Sequence, residues 1–131
     1  MQIADLHFSV NQGECRETSL PCTGADNMTL SLLATMLDKE KPDLVVFTGD
    51  QLNGQHTSWD AKSVLAKFAR TVTERQIPWA AIFGNHDDED GDTRRDQIKY
   101  MQGLPYSLVQ AGPKDIHGEG NYVLKVYSAD P

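Results

Sequence analysis

Three apolar runs in this chain each give way at once to polar residues of the kind that bind metals, and this recurrence limits what the chain can fold into. The runs close as Ile3-Ala4-Asp5-Leu6-His7, Phe47-Thr48-Gly49-Asp50-Gln51-Leu52-Asn53-Gly54 and Ile82-Phe83-Gly84-Asn85-His86-Asp87. Leu44-Val45-Val46-Phe47 and Trp79-Ala80-Ala81-Ile82-Phe83 are apolar without interruption, the pattern of strands buried on both faces. Helical spacing fills the stretches between them. Leu30, Leu33 and Leu37, with Ala34 and Met36 beside them, share one face of a helix expected over 27–40, with Asp26 as N-cap and Pro42 as stop. Ala61, Val64, Leu65, Phe68 and Val72 predict a second helix over 59–75, capped by Thr57 or Ser58 and broken before Pro78. Thr93 and Asp96 resemble a capping box for a short helix that ends at Gln102, before Gly103 and Pro105.

Residues 2–5 read as a first strand, so strands and helices alternate along the chain. That order predicts an α/β fold with right-handed crossovers, a mostly parallel sheet and flanking helices. Residues 106–110 and 121–127 alternate in strand fashion with no helix between them, which predicts an antiparallel hairpin at the sheet edge. In such a sheet, ligands bind beyond the carboxyl ends of parallel strands. Asp5, His7, Asp50, Asn85 and His86 are therefore expected to converge despite their distance in sequence.

Their chemistry suits a metal centre. The carboxylate of Asp5 and the imidazole of His7, one residue apart, fit borderline divalent or trivalent ions. Asp50 has two oxygens with which to bridge two ions, and Asn85 offers a neutral carbonyl oxygen to the second. His86 stands next to these groups as a proton donor. Gly49 and Gly84 allow sharp turns and close backbone approach. Two ions roughly 3.5–4 Å apart activate a water and clamp the oxygens of an in-line phosphoryl transfer. An isolated Asp-x-His or Gly-Asp is common in turns; the weight lies in three such clusters, each at the end of a strand.

Composition removes other partners. Twelve Lys and Arg against nineteen Asp and Glu give a net charge of −7, which argues against a nucleic-acid backbone as the main partner. No apolar run approaches the roughly 18–20 residues that cross a bilayer. Cys15 and Cys22, in the loop expected over 9–26, either pair or stay free; pairing would indicate a secretory compartment, and the compartment is otherwise left open. The acidic run Asp87, Asp88, Glu89, Asp90 and Asp92 reads as a solvated loop balanced by Arg94 and Arg95, its first member belonging to the third cluster; Trp59 and Trp79 read as packing residues, and His117 reads as exposed.

In this order the Asp-x-His pair, Gly49-Asp50 with Gly54 one residue early, and Gly84-Asn85-His86-Asp87 resemble the calcineurin-like metallophosphoesterase superfamily. The longer strings 2–8 and 41–50, and the closing Gly120-Asn121-Tyr122-Val123-Leu124, are similar to its fungal and plant branch named purple-acid-phosphatase-like. The resemblance implies part of a metallophosphoesterase sandwich and a metal-dependent hydrolase of phosphate esters, monoesters favoured, that works through a dinuclear centre and a metal-bound hydroxide. A phosphodiesterase, or a catalytically silent binding domain of the same fold, is the alternative. By the same resemblance Asp5 and His7 bind the first ion, Asp50 bridges, Asn85 binds the second, and His86 is general acid or phosphate contact. The two ions would be of Mn, Fe or Zn type. Asn53 occupies a position where related phosphatases carry an aspartate paired with the histidine acid, so Asn53 is expected to hydrogen-bond His86. The purple members place their iron-binding tyrosine at that position, so Asn53 also implies a colourless enzyme. His56, just beyond the second cluster, is expected to face substrate. The family's later Gly-His and Gly-His-x-His motifs have no counterpart here, since His56 and His117 fit neither. The resemblance thus implies that 1–131 is the N-terminal part of one metallophosphoesterase domain.

Overall fold

A computed structural model describes residues 1–11, 13 and 24–128. The order is β1 (Gln2–Ile3), α1 (Ala25–Glu40), β2 (Val45–Thr48), α2 (Ala61–Thr73), β3 (Trp79–Ile82) and α3 (Arg94–Gln102). The three strands form one parallel sheet in the order β1-β2-β3, with Ile3 opposite Phe47 and Phe47 opposite Ala81. This is the expected α/β architecture, with a wholly parallel sheet. Cys15 and Cys22 lie outside the described residues. Among the described residues, no helix is long and apolar enough to cross a membrane.

The core lies between the sheet and the amphipathic α2. Val64, Leu65, Phe68 and Val72 of α2 are fully buried, as are Val45, Phe47 and Trp79 of the strands. Phe47, Phe68 and Trp79 form an aromatic triangle with ring centroids 4.7, 6.0 and 6.1 Å apart, tilted and edge-to-face as ring quadrupoles favour. Leu33 and Leu37 of α1 and Ile98 and Met101 of α3 close the same core. Strand β3 is buried on both faces over residues 79–81, as expected, but β2 is not. Val46 and Thr48 alternate with the buried Val45 and Phe47, and Ile82 is 42% exposed.

The helix ends differ from expectation for identifiable reasons. Helix α1 begins two residues early, at Ala25 behind a left-handed Gly24. This puts Asp26 inside the first turn, where its buried carboxylate meets Lys67 Nζ at 2.6 Å and accepts the Ser9 N–H at 3.1 Å. Helix α2 is capped by Asp60, which accepts the Ser63 N–H. Ser58 is buried instead in the preceding loop, where its hydroxyl donates to Phe8 O and accepts from Gly54 N. Thr93 caps α3 as expected, exchanging bonds with Asp96.

The edge hairpin does not form among the described residues. Residues 106–108 add to the free edge of β3 through Trp79 N–H to Tyr106 O and Leu108 N–H to Trp79 O, a parallel bridge. Residues 121–128 hold no strand. One step further along that edge, the Tyr122 hydroxyl donates to Ala81 O at 2.8 Å and accepts from Ala81 N at 3.1 Å. The two arms thus meet β3 at successive positions, the second through a side chain, and they join each other at their loop end where Gly120 N–H donates to Ala111 O at 3.0 Å. Trp59 also departs from expectation: it is 63% exposed, in the loop that precedes α2.

The two tryptophans therefore differ sharply in what they hold. Trp79→Ala should lower the unfolding free energy by about 3–5 kcal/mol, through the cavity and the lost bond from its indole N–H to Pro105 O. Trp59→Ala should change it by less than about 0.5 kcal/mol. Urea unfolding of both variants measures the contrast.

Candidate metal centre

The pairing of β1 with β2 continues past both strands, and this extension builds the site. Asp5 N–H donates to Gly49 O, His7 N–H to Asp50 O, Phe8 N–H to Gln51 O, and Asn53 N–H returns to Phe8 O, all at 2.9–3.0 Å. The fully buried Phe8 and Leu52 form the bridge that ends it. Residues 5 and 7 are thereby held in register with 49 and 50. Along this ladder Asp5, His7 and Asp50 all take left-handed backbone conformations, with φ of 57°, 47° and 51°. Each costs a non-glycine residue about 1–2 kcal/mol, though Asp and His tolerate the region better than most. Strain of this kind persists where surrounding structure over-determines it, and it gathers at functional sites.

The left-handed turns bring three donor groups together. Ligand atoms of Asp5, His7 and Asp50 all lie within 4.8 Å of one another. His7 Nε2 is 3.8 Å from Asp5 Oδ1 and 3.8 Å from Asp50 Oδ2. These gaps are too wide for hydrogen bonds. Two donors bound to one ion at about 2.1 Å stand roughly 3.0–3.4 Å apart, so each His7 gap would close by about 0.4–0.8 Å around an ion. Two carboxylates and an imidazole are a donor set for borderline ions, and the residues present fit one. Asp50 is mostly buried; its Oδ2 faces His7 while its Oδ1 accepts the His86 N–H at 2.9 Å.

Beneath the cluster sits Asp87, 1% exposed. Its Oδ2 accepts the N–H groups of Asp50 and Gly84 at 2.9 and 2.6 Å, and its Oδ1 accepts that of Leu52 at 2.9 Å. Burial pushes its carboxyl pKa up, opposed by these three amides. Asp87, the first acid of the run and the last residue of the third cluster, ties the second strand-end loop to the third, while Asp88 and Glu89 are exposed. The joint leaves no room for side chains. A Cβ on Gly49, at φ 110°, would stand 2.7 Å from Gly84 N, and one on Gly84 would stand 2.6 Å from Asp50 N.

The third loop carries His86 to the cluster, its ring centroid 5.2 Å from that of His7 in an edge-on arrangement. His86 Nδ1 lies 2.9 Å from Glu89 Oε2. The Glu89 carboxylate, ahead of the more distant charges of Asp50 and Asp87, holds the imidazole pKa above its ordinary value. Asn85 is exposed, and the backbone on either side of it is anchored through Gly84 N–H to Asp87 and His86 N–H to Asp50. Arg94 secures the same turn by donating to Gly84 O at 2.8 Å while pairing with Asp88. Arg95 pairs with Glu119, outside the acidic run.

Of the residues expected to converge, Asp5, His7, Asp50 and His86 meet, and Asn85 is their neighbour through the backbone. Asn53 does not reach His86, because its amide donates to Thr57 Oγ1 at 2.8 Å within the same tight turn. His56 is exposed at φ 64° and has no polar partner among the described residues. Asp87 belongs to the third cluster by sequence but carried no assigned role, and Glu89 was not singled out. The only signal for Asp87 was its place directly after Gly84-Asn85-His86, and composition concealed both within an acidic run.

Removing the Asp87 carboxylate strands three amide donors. Asp87→Ala should cost about 2–4 kcal/mol of stability, and Asp87→Asn, which keeps one acceptor oxygen, distinctly less. Both should weaken manganese binding by about tenfold or more, as loss of a group that supports metal ligands does. Urea unfolding and calorimetric titration of manganese check these effects.

Comparison with known proteins agrees with this geometry. The chain is 42% identical over 134 residues to the phosphatase DCR2 of Saccharomyces cerevisiae, covering 98% of this chain and 23% of that protein. It is 37% identical over 136 residues to an Arabidopsis thaliana protein named probable inactive purple acid phosphatase 29, covering 98% and 35% of the two. A second Arabidopsis thaliana protein, probable inactive purple acid phosphatase 14, is 40% identical over 136 residues, covering 96% and 33%. The chain thus spans about a quarter to a third of the length of these relatives. No solved structure matches it. The sequence profile described as calcineurin-like phosphoesterase matches residues 1–127. With nearly its whole length matched and the strand-end cluster in place, the chain belongs to the calcineurin-like phosphoesterase family.

Proposed function

We propose that this chain carries part of the active centre of a metal-dependent hydrolase of phosphate esters, with monoesters as the favoured substrates. The observation that carries the reading is the meeting of Asp5, His7 and Asp50 at the ends of two parallel strands, with His86 beside them. Family membership and the likeness to a protein named as a phosphatase support it. Asp5, His7 and Asp50 would hold one divalent ion; Asp50 and Asn85 would contribute to a second. Bound ions of this kind supply the positive charge that attracts phosphate and the acidity that activates a water. We read 1–131 as part of one larger metallophosphoesterase domain, supported by the fraction of its relatives that it spans.

The chain's own groups perform the remaining work. The strained loops hold the donors before an ion arrives, so little ordering cost falls on binding. The Glu89 carboxylate raises the His86 imidazole pKa, and an imidazole that is protonated next to a phosphate ester can donate to the leaving oxygen or balance developing charge. A second reading draws on the two Arabidopsis relatives whose names include the word inactive. On that reading the domain binds metal and ligand without turnover.

The test uses the full-length protein loaded with manganese and assayed on a chromogenic phosphate monoester and diester. Asp50→Asn should lose bound metal and turnover together. His86→Asn should keep its metal and lose about a hundredfold in kcat. Equal metal loss in both variants would overturn the division of roles. Metal-loaded wild-type protein that turns over neither ester would favour the silent reading.

A further inference from the structure

We propose that Glu89 is the positioning residue of His86, committing Nδ1 to its carboxylate and leaving Nε2 as the ring nitrogen available to a bound phosphate ester. The inference rests on the reading of His86 given above, and its argument is geometric. Glu89 Oε2 is 2.9 Å from His86 Nδ1, an ion-pair approach short of hydrogen-bond alignment, and among the described residues that buried nitrogen has no hydrogen-bond partner, so the carboxylate is the one polar group at hand to take it up. The carboxylate is not a free surface group. The same Oε2 accepts the Gln55 N–H at 3.2 Å, and the Glu89 N–H donates to His86 O at 3.2 Å, closing a turn from 86 to 89. Space for it is provided by Gly54, at φ 63°, where a Cβ would run into the Glu89 carboxylate and come within 3.0 Å of its Cβ.

Glu89 thereby joins the second strand-end loop to the third on the His86 side, as Asp87 joins them beneath. Asn53, the residue placed by sequence to serve His86, is committed to Thr57. A carboxylate on Nδ1 fixes both the tautomer and the plane of an imidazole, and a proton donor needs both to be constant through the reaction. Fold stability gives little reason for the pair: the two side chains are 22% and 37% exposed, where ion pairs add little.

The test combines a spectroscopic and a kinetic measurement on Glu89→Ala and Glu89→Gln, with Glu89→Ser as a second truncation should alanine cost the fold. In the metal-free full chain labelled with 15N-histidine, above the pH of imidazole titration, wild-type His86 should be the Nδ1–H tautomer. Truncation should return it to the Nε2–H form that free imidazole favours. Glu89→Gln keeps an acceptor and should retain the wild-type tautomer. With manganese and a chromogenic phosphate ester, truncation should lower kcat by about tenfold while KM and bound manganese stay within about twofold, and glutamine should restore part of the loss. An unchanged tautomer on truncation, or turnover lost in proportion to manganese, would overturn the proposal. If wild-type protein turns over no ester, the catalytic reading fails, while the tautomer measurement still decides whether Glu89 positions His86.

Discussion

The buried carboxylate of Asp87 is the interaction on which the site depends. Three main-chain amides from two loops converge on its two oxygens: those of Asp50 and Leu52 after β2, and that of Gly84 after β3. Each loop leaves the sheet where strand hydrogen bonds stop, so its amides need other acceptors. One carboxyl group meets that need and locks both loops to a single geometry. Burial of the carboxylate works against its charge, and the three amides stabilise it. The contact is close enough that only glycine fits at 49 and 84.

The other half of the site is held differently. Asp5 and His7 follow a strand of only two residues, and what fixes them is the backbone ladder that continues to Phe8 and Leu52. Both of those apolar side chains are fully buried, so core packing anchors the far end of the ladder. Between its two ends the chain accepts left-handed conformations at three ligand-type residues. Lys67 holds the segment beyond, where its ammonium meets the carbonyls of Ser9 and Asn11 and the carboxylate of Asp26. A buried pair such as Lys67 and Asp26 is costly to break because either charge left alone would be poorly solvated.

Electrostatics around the cluster are consistent with a site that receives cations. Asp5, Asp50, Asp87 and Glu89 surround two histidines, and the nearby arginines are engaged elsewhere, Arg94 with Asp88 and Arg95 with Glu119. The overall charge of −7 has the same sign. A phosphate ester approaching such a surface would meet repulsion unless positive charge were supplied first. Metal ions at Asp5, His7 and Asp50 would supply it, which is why family membership and local electrostatics agree here.

Much of this was legible along the chain because it depends on local patterns. Apolar runs marked β2 and β3, the spacing of Leu33 with Leu37 and of Val64 with Phe68 marked two helices, and Thr93 with Asp96 marked the start of the third. Parallel polarity then required Asp5, His7, Asp50 and His86 to share an edge, since all strands of such a sheet end on the same side. What the sequence could not determine was which acid faced inward. Asp87 and Asp88 are neighbours of one type, yet one is buried beneath the cluster and the other pairs with Arg94 at the surface. Likewise the sequence offered Asn53 to His86, whereas the turn at Gly54 directs Asn53 to Thr57 and brings Glu89 to the imidazole. Strand order and donor identity follow from local periodicity and chain polarity, whereas carboxylate partners depend on non-local packing, which only the folded backbone decides.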